Sequence, residues 1–202
     1  MFKNILYKNK NILITGASSG LGKNMALNYA KNGGRIINLS RDIKKMESLN
    51  EELNKINNQK NLFYPVDISN YKQVDIIKKD LINKKVMPNI IVNNAAGNFL
   101  CPFNNLSENG WNRVIDIVLN GNFNVTHLFG RELIKQKKSA VFLNITTTYT
   151  DTGSALVIPS AVATKVASST NVEIAEMIAF RSSDPLVFAP KVKSIFSSLC
   201  SS

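Results

Sequence analysis

Only two cysteines, one histidine and one tryptophan occur among 202 residues. Cys101 and Cys200 stand far apart with no Cys-x-x-Cys pairing and no nearby ligand pattern, so neither a disulfide framework nor a metal site is expected, and a reducing compartment fits. His127, alone in the middle of a helical pattern, reads as a packed or surface residue. No apolar run approaches bilayer length, so no integral membrane segment is expected and the protein should be soluble. Ten residues precede the first strand pattern, too few for an ordinary signal peptide. Their Lys3, Lys8 and Lys10, without an acid, would suit the remnant of an organelle-targeting arm. Acids are also scarce, 14 against 25 bases, for a formal charge of +11. The lysines are scattered, with no zinc spacing, basic heptad helix or aromatic RNA-binding signature, so no nucleic acid is expected as partner; polyphosphate small molecules suit the charge at least as well.

This length and 44% hydrophobic content bury one core. Apolar runs alternate with helical patterns as βαβαβαβαβα, which predicts an α/β fold: a doubly wound parallel sheet of Rossmann type. The strands are expected at 11–15, 35–39, 61–66, 89–93 and 139–145. Helices are expected at 21–32, after an Asp42 cap, after an Asn70 cap, and as a long helix from Ser107, with stripes Met46-Leu49-Leu53-Ile56, Val74-Ile77-Leu81 and Trp111-Val114-Ile115-Val118-Leu119 as core. Beyond about Ala161 the pattern weakens. A helix is expected to run to Phe180, so residues 1–180 form one nucleotide-binding domain, incomplete at its end, and 181–202 an irregular Ser-rich tail.

Thr15-Gly16-Ala17-Ser18-Ser19-Gly20-Leu21-Gly22 lies between the first strand and first helix. Glycines there permit a sharp turn and a close approach to a pyrophosphate, whose charge the helix N-terminus stabilises. At the end of the second strand, an acid would accept from a ribose 2′-hydroxyl but repel a 2′-phosphate. The residues are Leu39-Ser40-Arg41, and a guanidinium there suits the phosphate of NADPH. Asp42, next in line, reads as a cap for the following helix.

The T-G-x-x-x-G-x-G spacing resembles the short-chain dehydrogenase/reductase superfamily over about the first 160 residues. Asp67 stands where that superfamily contacts adenine, Asn93-Asn94-Ala95-Ala96-Gly97 resembles its N-N-A-G turn, and Asn120 its structural asparagine. The Tyr-x-x-x-Lys pair of the superfamily is absent, since Gly153 follows Tyr149 by four. Within the superfamily the chain is most similar to the 2,4-dienoyl-CoA reductases. That likeness rests on Asn93-Asn94-Ala95-Ala96-Gly97-Asn98-Phe99, on Asp-Ile-Val-Leu-Asn-Gly at 116–121, on Ile145-Thr146-Thr147-Thr148-Tyr149, and on Thr152-Gly153-Ser154 with Pro159-Ser160.

The resemblance implies NADPH as cofactor, held by Gly16, Ala17, Ser18, Ser19, Gly20, Leu21, Gly22, Arg41, Asp67, Asn94, Ala95 and Gly97. It implies an acyl-CoA substrate met by Arg41, Asn98, Phe99 and Ser107, and a catalytic set of Tyr149, Asn98, Ser160 and a lysine. Hydride delivered to the far end of a conjugated dienoyl thioester drives charge onto the thioester oxygen, and Asn98 and Tyr149 would donate to it. The family pattern sets its lysine four residues after Ser160, where this chain has Thr164. Lys165 follows, about 100° further round a helix. The last strands, the Pro-Gly turn and the covering helices of the family are missing. This leaves a truncated gene model, a fragment, or a protein that leans on a partner, with an exposed sheet edge. By analogy a homotetramer in the mitochondrial matrix, or else the peroxisome, is expected. Two alternatives stand beside the dienoyl-CoA reductase reading: a carbonyl-reducing enzyme of the same superfamily, and a non-catalytic nucleotide binder.

Overall fold

A computed structural model describes residues 6–97, 101–145, 156–157 and 176–180. Its centre is the run of branched apolar residues foreseen as strands: β1 (Asn11–Thr15), β2 (Arg35–Ser40), β3 (Leu62–Pro65), β4 (Ile90–Asn93) and β6 (Ala140–Asn144). These five pair in parallel in the order β3-β2-β1-β4-β6. Leu13 of β1 stands opposite Ile37 of β2 on one side and Ile91 of β4 on the other. Strands flanked on both edges and covered on both faces have no polar side, which is why they read as continuous apolar runs.

Alternate strand residues feed two cores. Leu13, Ile37, Leu39, Ile91 and Phe142 pack against Val74, Ile77 and Leu81 of α3 (Tyr71–Asn83) and Val125, Phe129 and Leu133 of α5 (Gly121–Lys135). Ile12, Ile14, Ile36 and Val92 face Ala26 and Ala30 of α1 (Gly20–Lys31) and Leu49 and Leu53 of α2 (Ile43–Ile56). Helices thus cover both faces of the sheet, and the doubly wound fold class is observed. Asp42 and Asn70 cap α2 and α3 through bonds from the Lys45 and Gln73 amides at 3.1 Å, as the sequence predicts.

The structure departs from the sequence pattern in three places. The expected helix does not extend to Phe180: Glu176–Phe180 is a strand, β8, antiparallel to β6, with Ile178 opposite Phe142. A five-residue stretch with four apolar residues carries no decisive periodicity, and β6 offers an unpaired edge that an antiparallel strand can occupy without a crossover helix. The exposed edge expected beside β6 is therefore paired. Next, the long helix after Ser107 is broken into α4 (Glu108–Ile115), a π-helical turn Asp116–Asn120, and α5. Last, two short strands, β5 (Cys101–Pro102) and β7 (Leu156–Val157), form a small antiparallel pair apart from the main sheet.

Candidate functional site

From β1 the chain builds outward through β2 to β3, then returns to β1's other side with β4. The strand order reverses there, and open α/β sheets form their ligand crevice at the carboxyl ends of the strands at such a point. The structure joins β1 and β4 firmly at this place. The buried Thr15 hydroxyl accepts from the amides of Asn94 and Ala95 at 3.0 and 2.9 Å. The Asn94 carboxamide also donates to the Thr15 carbonyl at 3.0 Å and lies 3.4 Å from that of Gly16.

The loop between β1 and α1 has little room for side chains. Gly16 has φ +68°, and a Cβ there would stand 3.0 Å from the Ala95 Cα. A Cβ on Gly22 would meet the Asn94 Nδ2 and the Gly16 carbonyl oxygen, each at 2.5 Å. Both glycines serve close approach of this loop to the end of β4.

The start of α1 differs from those of the helices around it. α2, α3 and α4 each begin on a side chain that accepts from a first-turn amide: Asp42, Asn70 and Ser107. Ser19, at the N-cap of α1, makes no such bond. An uncapped helix start with its amide donors and positive dipole end is suited to an anion.

Beside it lies a cleft of about 630 Å³, within the range of roughly 300–1,000 Å³ usual for small-molecule and cofactor sites. Gly16, Ser18 and Ser19 line one end, Asn94, Ala95, Ala96 and Ile117 the β4 side, and Ser40, Arg41, Asp42 and Lys45 the β2 side, with Asp67 between. Ser40 donates its one hydroxyl proton to Asn38 Oδ1 at 2.7 Å, which leaves Arg41 and Lys45 as the cationic side chains of the β2 side. Asp67 Oδ1 accepts from the amide and hydroxyl of Ser69 at 3.0 and 2.7 Å. Partial burial favours its neutral form, but those bonds, with the charges of Arg41 and Arg113, outweigh burial and hold the carboxyl below its ordinary value.

Of the residues expected at a cofactor site, Gly16, Ser18, Ser19, Arg41, Asp67, Asn94 and Ala95 line this cleft. Gly20, Leu21 and Gly22 open α1, Ala17 is buried beneath the loop, and Gly97 follows the β4 end. Ser107, expected at the acyl side, serves as the cap of α4, bonded from the Gly110 amide at 3.1 Å. Asn98, Phe99, Tyr149, Ser160 and Lys165 lie outside the described residues. Asn120 is exposed at the end of the π-helical turn and donates to Asp116 at 2.9 Å.

Sequence reasoning missed three contributors. Lys45 lies among scattered lysines, and Ile117 falls outside the stripe expected as core, present only within the 116–121 motif. Asn124, 5% exposed, donates to the carbonyls of Ile68 and Ser69, both at 2.9 Å, and so fixes the loop that carries Asp67. Its only signal was an asparagine on the apolar stripe of a helix, where a polar group needs a partner.

The family model described as short chain dehydrogenase matches residues 10–173. A "Probable 2,4-dienoyl-CoA reductase [(2E)-enoyl-CoA-producing]" of Bacillus subtilis (strain 168) is 36% identical over 154 residues, 76% of this chain and 60% of that protein. A "Probable 2,4-dienoyl-CoA reductase decr-1.2 [(3E)-enoyl-CoA-producing]" of Caenorhabditis elegans is 35% identical over 157 residues, 77% of this chain and 51% of that one. The match thus spans between half and three fifths of these curated relatives. A crystal structure of a short chain dehydrogenase from Bacillus anthracis superposes with a TM-score of 0.72 at 36% identity, covering 79% of this chain and 66% of the other. Matched over most of its length and built on the same parallel sheet, this chain belongs to the short-chain dehydrogenase family of oxidoreductases.

Proposed function

We propose that this chain is an NADPH-dependent reductase that converts 2,4-dienoyl-CoA thioesters to 3-enoyl-CoA in the oxidation of unsaturated fatty acids. The observation that carries the cofactor half of this reading is the cleft at the β1/β4 reversal, with an uncapped helix start at one end and Arg41 at the other. A diphosphate suits the first, and the 2′-phosphate that distinguishes NADPH from NADH suits the second. Support for the substrate comes from the relatives' names and from the motif at 93–99 with Tyr149 after β6.

Bound NADPH supplies the hydride. Addition at the far end of the diene leaves negative charge on the thioester oxygen, where the Asn98 amide and the Tyr149 phenol act as donors. A proton delivered beside the thioester, from Tyr149 or solvent, completes the 3-enoyl product. The chain's part is to hold the dinucleotide along the cleft and to place an amide and a phenol where that charge gathers.

Purified protein mixed with NADPH and a 2,4-dienoyl-CoA should lose absorbance at the nicotinamide band, and Asn98→Ala and Tyr149→Phe should each slow the loss by at least about 100-fold. Identification of the product separates a 3-enoyl from a 2-enoyl outcome. Turnover of small ketones that survives Asn98→Ala would instead favour a carbonyl reductase, and NADPH binding without turnover of either substrate would favour a nucleotide binder.

A further inference from the structure

The residue after Arg41 is an acid that lines the same cleft, and an acid there should oppose a 2′-phosphate. The geometry around Asp42 removes that objection. Its Oδ1 accepts from the Lys45 amide at 3.1 Å, the capping bond of α2, and its Oδ2 lies 3.3 Å from the Lys45 Nζ. Both carboxylate oxygens are therefore turned toward Lys45 and the helix start. Lys45 itself lines the cleft with Arg41, and its side chain is 60% exposed.

We propose that Lys45 determines the preference for NADPH over NADH, by cancelling the Asp42 carboxylate and by standing with Arg41 as the second cation for the 2′-phosphate. The inference rests on the cofactor reading above and goes beyond it by naming the residue that overcomes the acid. An ion pair between two exposed side chains is weak and readily rearranged, and an ammonium has three donors. Lys45 can therefore bond a phosphate oxygen while Asp42 stays held by its capping bond. Lys44, its neighbour with the same charge, is exposed but does not line the cleft, which makes it the control for bulk charge.

The test is equilibrium titration of the full chain with NADPH and with NADH, read by nicotinamide fluorescence, with circular dichroism confirming that each variant is folded. Lys45→Gln should weaken NADPH roughly tenfold and leave NADH nearly unchanged. Lys44→Gln should move neither. The effect of Lys45→Gln should shrink when Asp42→Asn is already present, because part of it is the acid left uncancelled. An unchanged NADPH-to-NADH ratio in Lys45→Gln, or an equal fall in Lys44→Gln, overturns the inference while the cofactor reading stands. A wild-type chain that binds neither dinucleotide overturns both.

Discussion

Asn94 donates twice to Thr15, 79 residues away in sequence, both times at 3.0 Å: its amide to the Thr15 hydroxyl and its carboxamide to the Thr15 carbonyl. The pair fixes the end of β1 against the end of β4, so the glycine loop leaves the sheet from a set position. Groups that must meet a ligand within a few tenths of an ångström need support of this kind.

Thr15→Val keeps the volume of the side chain but leaves the amides of Asn94 and Ala95 without their acceptor. The expected loss is about 1–3 kcal/mol of unfolding free energy, measured by denaturant titration. Thr15→Ser, which keeps the hydroxyl, should recover most of it.

Gly22→Ala tests the packing of α1 on the loop. Alanine in a helix interior ordinarily stabilises relative to glycine. Here the new methyl would meet Asn94 and the Gly16 carbonyl, so the expected result is a loss of about 1–3 kcal/mol together with weaker NADPH binding. A stabilised variant with unchanged binding would contradict the loop geometry.

Asn124→Ala removes the two donors that hold the Ile68 and Ser69 carbonyls. It should lower stability by about 1–3 kcal/mol and speed amide hydrogen exchange in the loop that carries Asp67. Exchange confined to the helix itself would show that the loop is held by something else.

Tyr64 gives a pH signature. Its hydroxyl donates to Asp80 at 2.6 Å, and partial burial, then the Asp80 carboxylate, push its pKa from 10.0 up to about 12. Between pH 10 and 12 the folded chain keeps a proton that the unfolded chain has lost. Stability from this group is thus fully present below pH 10 and is lost as pH rises through about 12. Tyr29, raised by burial and by Tyr7, acts in the same direction. Tyr64→Phe should be slightly less stable at pH 7 and show a shallower decline above pH 10, followed by melting temperature.

Much of this architecture was legible in the sequence because each element carried its own signal. Ile12, Ile14 and Val92 announced buried strands by composition, Asp42 and Asn70 announced helix starts by chemistry, and Gly16 marked a turn that only a glycine takes easily. What escaped was set by distant partners. Asn124 looks like any helical asparagine until the β3–α3 loop arrives beneath it, and Lys45 looks like a solvated charge until α2 is laid beside the end of β2. Glu176–Phe180 escaped because a short, mostly apolar stretch joins whichever partner needs an edge, and β6 did.

The most direct measurement is the binding of NADPH to the purified wild-type chain, titrated alongside NADH at fixed ionic strength. The account predicts a single saturable site that favours NADPH and loses that favour in Arg41→Ala. Saturable binding of neither dinucleotide by a folded sample would contradict it.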